Sequence, residues 1–167
     1  MNSRSKLTTS FRHRTPAFSR IWWLASLTVL VSGCSDPFGV EQDTLDQARA
    51  RWASLGVTDY SFELRRSCFC GPDFTRRIRI DVESGSVIGA VYVDDGQPVT
   101  TPLGELSTIE DLFDEIQNAI DREAFTLLAE YEPVFGHPTE VSIDFDIQIA
   151  DEEMAFDVRN LVFAVAG

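Results

Sequence analysis

The sequence has almost no lysine, little histidine and none of the common catalytic motifs. Lys6 is its only lysine, and its 167 residues include two histidines, His13 and His137. We find no nucleophile elbow, no glycine-rich phosphate loop and no paired-histidine metal motif. Acid or base chemistry at His137 would need a partner that the sequence does not place, so we interpret it as a turn residue. These absences predict no catalytic residue, no metal site and no cofactor, in a protein that is not an enzyme.

Basic residues are few and unevenly placed. Five of the fourteen lie in the first twenty positions, which hold no acid, and the other nine, all arginines, share the rest of the chain with 27 acids. Without residues 1–33 the formal charge would be 9 − 27 = −18. So acidic a chain disfavours nucleic acid and anionic lipid surfaces as general partners. We therefore expect no nucleic-acid partner.

The basic N-terminal segment leads into an uncharged, largely apolar run at residues 21–31. The run is about 11 residues long, and a helix needs roughly 20 to span a bilayer, so a cleaved signal peptide is favoured. It ends in Val31-Ser32-Gly33-Cys34, which has the order of the bacterial lipobox: an apolar residue, two small residues and a cysteine. The alternative is an ordinary secretory signal with an incidental cysteine.

The lipobox pattern sets the predicted organisation of the chain. We expect a lipoprotein signal peptide at residues 1–33, lipidation of Cys34, a lipidated tether at 34–42 and a single domain at 43–167. The protein would be extracytoplasmic and bound to a bacterial membrane through its lipid anchor. Ser35 follows the cysteine, and by the sorting rule of enteric lipoproteins this residue is compatible with the outer membrane.

Hydrophobic periodicity predicts the elements of that domain. Asp43 is placed to cap a first helix that stops at Gly56, and alternating patterns at 60–65, 77–82 and 87–93 predict three strands. Ser107 and Glu110 fit a capping box for a second helix, after which three further strand patterns follow. The order helix, three strands, helix, three strands predicts an α+β fold, with an antiparallel sheet of about six strands and two helices on one face.

Cys68 and Cys70 are the only other cysteines. In an exported protein such a pair is usually oxidised, and a structural disulfide between them is the favoured interpretation. The Cα atoms of residues two apart in a strand lie at the upper limit of the separation that a disulfide spans, so the bond would be strained and easily reduced. This leaves open a thiol-disulfide role, or Cu(I) binding with Met154 and His137 as the remaining soft or nitrogen ligands.

Two groups of charged residues are further candidates. Arg65, Arg77 and Arg79 fall on the solvated faces of adjacent predicted strands, where arginine forks suit phosphates or carboxylates. The alternative is cross-strand pairing of these arginines with acids of the same strands. Those acids are Glu63, Asp81 and Glu83. The spacing of a second group of acids does not match that of a calcium-binding loop, and we interpret this group as a solvated edge. It comprises Asp144, Asp146, Asp151, Glu152 and Glu153.

Several motifs in fixed order resemble one family across nearly the whole chain after Cys34. They are the lipobox, Trp52, Tyr60-Ser61-Phe62, Ser67-Cys68-Phe69-Cys70-Gly71-Pro72, Thr108-Ile109-Glu110-Asp111-Leu112-Phe113, Tyr131-Glu132-Pro133, Phe135-Gly136-His137-Pro138, and Asp144 with Asp151-Glu152-Glu153. The chain resembles the bacterial lipoproteins grouped as domain of unknown function 6174, which commonly have tyrosine at the position of His137. The resemblance implies a lipoprotein with one domain and no assigned activity.

Together these features predict a non-enzymatic binding or structural module of the cell envelope. It would be attached to the membrane through Cys34 and would bind an envelope protein or polymer close to that membrane. The alternative is a thiol-disulfide or copper-handling protein that uses Cys68 and Cys70.

Overall fold

The computed structural model describes residues 39–68, 75–146 and 153–164. The chain divides into two units, Met1–Cys34 and Ser35–Gly167, and every described residue belongs to the second. Its elements, in chain order, are helix α1 (Gly39–Ser54), strands β1 (Tyr60–Cys68), β2 (Ile78–Glu83) and β3 (Ser86–Tyr92), a 3-10 turn (Leu103–Glu105), helix α2 (Ile109–Asp121), and strands β4 (Thr126–Tyr131), β5 (Pro138–Asp144) and β6 (Met154–Phe163).

The six strands form one antiparallel sheet in the order β3-β2-β1-β6-β5-β4. Each half of the chain contributes three neighbouring strands, and the halves meet where β1 pairs with β6. Strands β3 and β4 are therefore the two edges. The predicted α+β fold, with its helix-strand order and antiparallel sheet, is confirmed.

The core lies between the two helices and one face of the sheet. Alternate residues of β1 point into it, with Tyr60, Phe62 and Leu64 buried. The helices bury stripes with the three-to-four-residue spacing of an amphipathic helix. These stripes are Leu45, Ala48 and Trp52 in α1, and Ile109, Leu112, Phe113, Ile116, Ala119 and Ile120 in α2. The alternating and helical patterns in the sequence identified this core correctly.

Both predicted helix starts were displaced. Helix α1 begins at Gly39, so Asp43 lies inside it and the predicted tether at 34–42 overlaps its first turn. The capping box of α2 is shifted by one residue: the Thr108 hydroxyl accepts from the Asp111 N–H at 3.2 Å, and the Asp111 carboxylate accepts from the Thr108 N–H at 2.8 Å. Thr108 is the cap because its backbone is extended, which is the conformation an N-cap requires.

Strand β6 is longer than the sequence indicated. It runs unbroken to Phe163, where the pattern predicted a strand and then a separate apolar tail. Asn160, with φ of 50°, lies at the point where the register of β6 against β1 shifts, which explains the break in the apparent alternation. No helix within the described residues is long and apolar enough to cross a membrane.

Candidate functional site

The face of the sheet opposite the helices is polar, and we call it the open face. Its side chains alternate with the core positions, so cross-strand partners share it. The register pairs Glu63 of β1 with Arg79 of β2, and Arg65 of β1 with Asp157 of β6. Arg65 and Arg79, two of the three arginines predicted to form a binding patch, therefore lie on one surface.

Three arginines of this face meet a single carboxylate, that of Asp157. Arg65 Nε lies 2.9 Å from its Oδ2, Arg159 Nε lies 3.0 Å from its Oδ1, and an Arg77 Nη2–H also donates to Oδ1. The Asp157 side chain is only 14% exposed and that of Arg77 is also largely buried, whereas Arg65 and Arg159 are more than half exposed. One negative charge thus holds three positive ones, and two of those guanidinium groups face solvent.

The electrostatics of Asp157 follow from this packing. Burial alone would raise the pKa of its carboxyl, but the hydrogen bonds and charges of Arg77 and Arg65 outweigh burial and lower that pKa below its usual range. The carboxylate therefore remains ionised and keeps its guanidinium partners in place. Arg79 is held more loosely, 3.7 Å from Asp81, and both side chains are well exposed.

Cross-strand pairing was expected with Glu63, Asp81 and Glu83, and the structure corrects this in part. Of these three acids, Asp81 alone forms an ion pair with an arginine within the described residues, and that arginine, Arg79, lies on the same strand rather than across from it. Arg65 and Arg77 pair with Asp157 instead. Asp157 was missed because nothing local in the sequence indicates that β6 lies beside β1. Its position between Phe156 and Val158, which are buried, was the one available indication that it faces the same side as the arginines.

Two shallow depressions lie along the strands of the open face. One of about 260 Å³ is lined by Arg65, Glu140, Asp157 and Arg159 among others. A second, of about 500 Å³, lies where β1 begins and β6 ends, and it is lined by acids, Asp59, Asp81 and Glu83, and by no arginine of the described part of the chain. The first depression suits an extended anionic ligand that crosses the strands, because adjacent strands lie roughly 4.8 Å apart.

Arg66 and Arg76, the neighbours of the patch in sequence, are engaged elsewhere. Arg66 lies on the helix side and bonds the Glu115 carboxylate of α2 through both terminal nitrogens, at 2.9 and 2.5 Å. Arg76 pairs with Asp94 and Asp95 and stacks on the Tyr92 ring, 3.6 Å from its centroid. The five arginines that cluster in sequence therefore do not form one surface.

Cys68 is the last residue of β1, and Cys70 lies outside the described residues. Their pairing therefore stays a prediction. Met154 lies opposite Cys68 in the β1–β6 register, so a thioether is close to Cys68. The ring of His137 lies 6.2 Å from that of Trp52, which in turn lies 5.3 Å from that of Tyr60, the first residue of β1. Because Tyr60 is eight strand positions, or roughly 26 Å, from Cys68, His137 is too far from Cys68 to share a metal with it.

His137 closely follows the turn at residues 133–135, and the structure shows that it is buried, which the sequence did not indicate. It is only 6% exposed, and its ring packs edge-on against Trp52, with centroids 6.2 Å apart. Burial lowers the pKa of its imidazole, and the carboxylate of Glu132 offsets part of that effect. Its Nδ1 is buried without a hydrogen-bond partner within the described part of the chain. His137 is therefore a neutral core residue at physiological pH.

A second polar cluster joins the two helices to the start of β1. The Trp52 indole N–H donates to Oε1 of Glu110 at 2.7 Å, and the Tyr60 hydroxyl donates to Oε2 at 2.6 Å. That hydroxyl also accepts from the Ile109 N–H at 3.1 Å. Burial, followed by the hydrogen bond to Glu110, raises the pKa of the Tyr60 hydroxyl, which remains a donor. Nothing local in the sequence indicated this shared carboxylate, because Glu110 is 58 residues from Trp52 and 50 from Tyr60.

Some of the other predicted positions lie outside the residues that the structure describes. Cys34 and the whole of residues 1–38 are outside the described residues, so the lipobox stays a prediction. The same holds for Asp151 and Glu152 of the acidic group. Within the residues that the structure describes, no group of three or more His, Cys, Asp or Glu side chains is placed to hold a metal ion.

Comparison with known proteins supplies one match. Residues 44–163, which span every strand of the sheet and both helices apart from the first turn of α1, match the family described as family of unknown function (DUF6174). No curated protein and no solved structure matches the chain.

Proposed function

This chain belongs to the family of unknown function DUF6174, and we propose that it is a lipid-anchored binding module of the bacterial cell envelope. In this proposal acylated Cys34 holds the protein to the membrane. The open face of the sheet then binds the phosphate or carboxylate groups of an acidic envelope polymer, without chemical conversion of that polymer.

The observation that carries the proposal is the set of arginines around Asp157. Surface arginines usually pair one to one with acids, and such pairs contribute little to stability. Here three guanidinium groups share one largely buried carboxylate, and the donors of Arg65 and Arg159 that Asp157 does not use face solvent. Guanidinium groups bind phosphates and carboxylates in a bidentate manner, so these two side chains are prepared for an anionic group.

A polymer fits this face better than a small ion does. Arg79 of β2 and Arg159 of β6 flank Glu63 of β1, while Arg65 lies in the next cross-strand row, opposite Asp157. The arginines are therefore spread over three adjacent strands and do not gather in a closed pocket. The depression beside Arg65 and Arg159 is open and continuous with solvent. Acids such as Glu63 and Glu140 share the face and would repel a ligand that does not place its anionic groups on the arginines.

The anchor is supported by the sequence. The basic segment, the apolar run and Val31-Ser32-Gly33-Cys34 occur in the order and at the lengths of a lipoprotein signal peptide. Mass spectrometry of the protein isolated from membranes tests this step. Two or three acyl chains on an N-terminal Cys34 would support the anchor, and an N-terminus at Met1 would refute it.

Binding of defined polyanions tests the open face. Poly-L-glutamate and polyphosphate are titrated against the protein at low salt, with neutral dextran as the reference polymer. The double variant Arg65→Gln/Arg159→Gln should bind at least about tenfold more weakly, because each lost charge-assisted contact removes roughly 1 kcal/mol or more. Raising the salt concentration should reduce the difference in polyanion affinity between the parent and the double variant.

Arg122→Gln is the matched control. Arg122 follows the last residue of α2 and stacks over Phe145, 3.8 Å from its centroid, so it is an arginine outside the open face. Its replacement removes one positive charge, against two in the double variant, and should leave polyanion affinity nearly unchanged. A loss of binding free energy in Arg122→Gln of about half that in the double variant would show a general charge effect and would contradict a site at Asp157.

A further inference from the structure

The start of α1 fixes where the chain approaches the folded domain. Gln42, in the first turn of α1, exchanges hydrogen bonds with Gln117 of α2 at 3.0 and 2.9 Å. Gln117 in turn donates to Asp121, the last residue of α2, at 2.9 Å. The N-terminal end of α1 therefore lies beside the C-terminal end of α2, and residues that precede Gly39 meet the domain at this end.

The same end carries exposed apolar side chains. Val40 is 76% exposed, the highest value among the exposed large hydrophobic residues, and Leu128 of edge strand β4 is 65% exposed. Both line one groove of about 200 Å³ between α1 and β4. Phe125, also exposed, follows Asp121 by four residues and immediately precedes β4. We call Val40, Phe125 and Leu128 the apolar rim.

The length of chain before α1 determines what can cover the apolar rim. Four residues separate Cys34 from Gly39, so even a fully extended segment spans at most about 17 Å. An acyl group on Cys34 thus holds the first turn of α1 close to the membrane surface. The opposite edge strand, β3, is five strand spacings, or roughly 24 Å, from β4. The short tether therefore does not hold β3 close to the membrane.

We propose that the apolar rim rests on the bilayer that holds the anchor, with Val40, Phe125 and Leu128 in its interfacial region. This inference rests on the proposed acylation of Cys34. Exposed apolar side chains next to a short lipid tether add a second attachment, and two attachments hold a protein more firmly than one. The β4 edge then faces the membrane.

The charged residues near the apolar rim indicate which lipid headgroups it can contact. Glu41, Asp121 and Glu123 lie at the same end of the domain, together with one basic residue, Arg122. Anionic headgroups would be repelled by these carboxylates, so the rim fits a zwitterionic surface. Addition of anionic phosphatidylglycerol to zwitterionic vesicles should therefore weaken the contact.

Quenching by brominated lipid measures the contact directly. The full chain, isolated from membranes with its own N-terminus, is reconstituted into phosphatidylcholine vesicles with brominated acyl chains. Leu128→Trp places a reporter in the apolar rim, and Ile88→Trp, at a position 56% exposed on edge strand β3, is the matched control. Both retain Trp52, which is buried and contributes equally. Since interfacial side chains enter roughly 5–10 Å of the membrane, Leu128→Trp should be quenched at least about twofold more.

The outcomes separate this inference from the anchor on which it rests. Protein that does not float with the vesicles refutes the anchor, and the inference with it. Protein that floats but shows equal quenching in the two variants refutes the rim contact alone. If Leu128→Trp is shielded from an aqueous quencher but not reached by brominated lipid, a second copy of the chain covers β4, and the inference is wrong.

Discussion

Replacing Tyr60 by phenylalanine removes one oxygen that joins three parts of the fold. The Tyr60 hydroxyl donates to Glu110 at 2.6 Å and accepts from the Ile109 N–H at 3.1 Å. Ile109 is the first residue of α2 and is fully buried, so its N–H is one of the donors that a helix N-terminus leaves without an intrahelical partner. The hydroxyl therefore acts as a cap contributed by β1.

The expected cost combines two effects. A hydrogen bond to a charged group contributes about 1.5–3 kcal/mol, and a buried N–H left without an acceptor costs about 1–3 kcal/mol. Glu110 is exposed and can recover hydration, which reduces the first contribution. We expect Tyr60→Phe to lower the free energy of unfolding by about 2–3 kcal/mol in total. For a domain of this size that corresponds to a fall in Tm of about 6–12 °C.

Tyr92→Phe is the matched control. Tyr92 is as buried as Tyr60, but its hydroxyl has no hydrogen-bond partner among the residues that the structure describes. The same substitution there should be neutral or slightly stabilising, because an unpartnered buried hydroxyl is lost. Thermal unfolding of the unit Ser35–Gly167, followed by far-ultraviolet circular dichroism, measures both variants and the parent.

A double-mutant cycle identifies the partner. Tyr60→Phe, Glu110→Gln and the double variant should show a coupling energy of about 1–2 kcal/mol, because the two side chains are in direct contact. If Tyr60→Phe destabilises the domain no more than Tyr92→Phe does, the hydroxyl is not a cap. A coupling energy near zero would show that Glu110 is not its partner.

Three further predictions concern single positions. The pKa of His137 is lowered below its ordinary value of 6.5, so the unfolded chain takes up the proton first and stability should fall as pH drops through that value. His137→Phe should lose this dependence in denaturant titrations at about pH 7.5 and 5, and an unchanged slope would contradict it. Gly136→Ala should lower the free energy of unfolding by more than about 3 kcal/mol, since φ is +88° and the new Cβ would lie 2.3 Å from the Ala48 carbonyl oxygen. Gly96→Ala is the control: φ is +71° but the new Cβ meets open space, so the free energy of unfolding should fall by only about 1 kcal/mol. Asp157→Asn should cost about 1–3 kcal/mol at pH 7 in the same titrations and almost nothing below the pKa of that carboxyl, where the parent has lost its charge as well.

Local patterns in the sequence predicted the elements but not their neighbours. The alternation at Tyr60, Phe62 and Leu64 identified a strand and its buried face because side-chain direction in a strand has a period of two. The start of α1 was misjudged because Gly39 is a poor helix former and Asp43 a good cap, yet the helix extends past both.

The candidate site depended on contacts that are distant in sequence. Arg65 and Asp157 are 92 residues apart and meet only because β1 and β6 pair at the centre of the sheet. A helix, three strands, a second helix and three strands are compatible with several strand orders, and each would bring different acids to the arginines. The burial of His137 was not predicted for the same reason: its flanking glycine and proline indicate a turn, but only the contacts of Gly136 and His137 with α1 show that this segment is buried.

Asp157 connects the stability of the domain with its proposed binding. In the parent protein its carboxylate competes with any incoming anion for Arg65 and Arg159, and it also holds Arg77, which is largely buried. Asp157→Asn should therefore have effects of opposite sign, with a lower free energy of unfolding but a higher affinity for polyphosphate, since three guanidinium groups lose their shared anion. A purely structural cluster would lose stability without any gain in affinity. Measurement of both quantities on this one variant separates a binding face from a set of ion pairs that only stabilise the sheet.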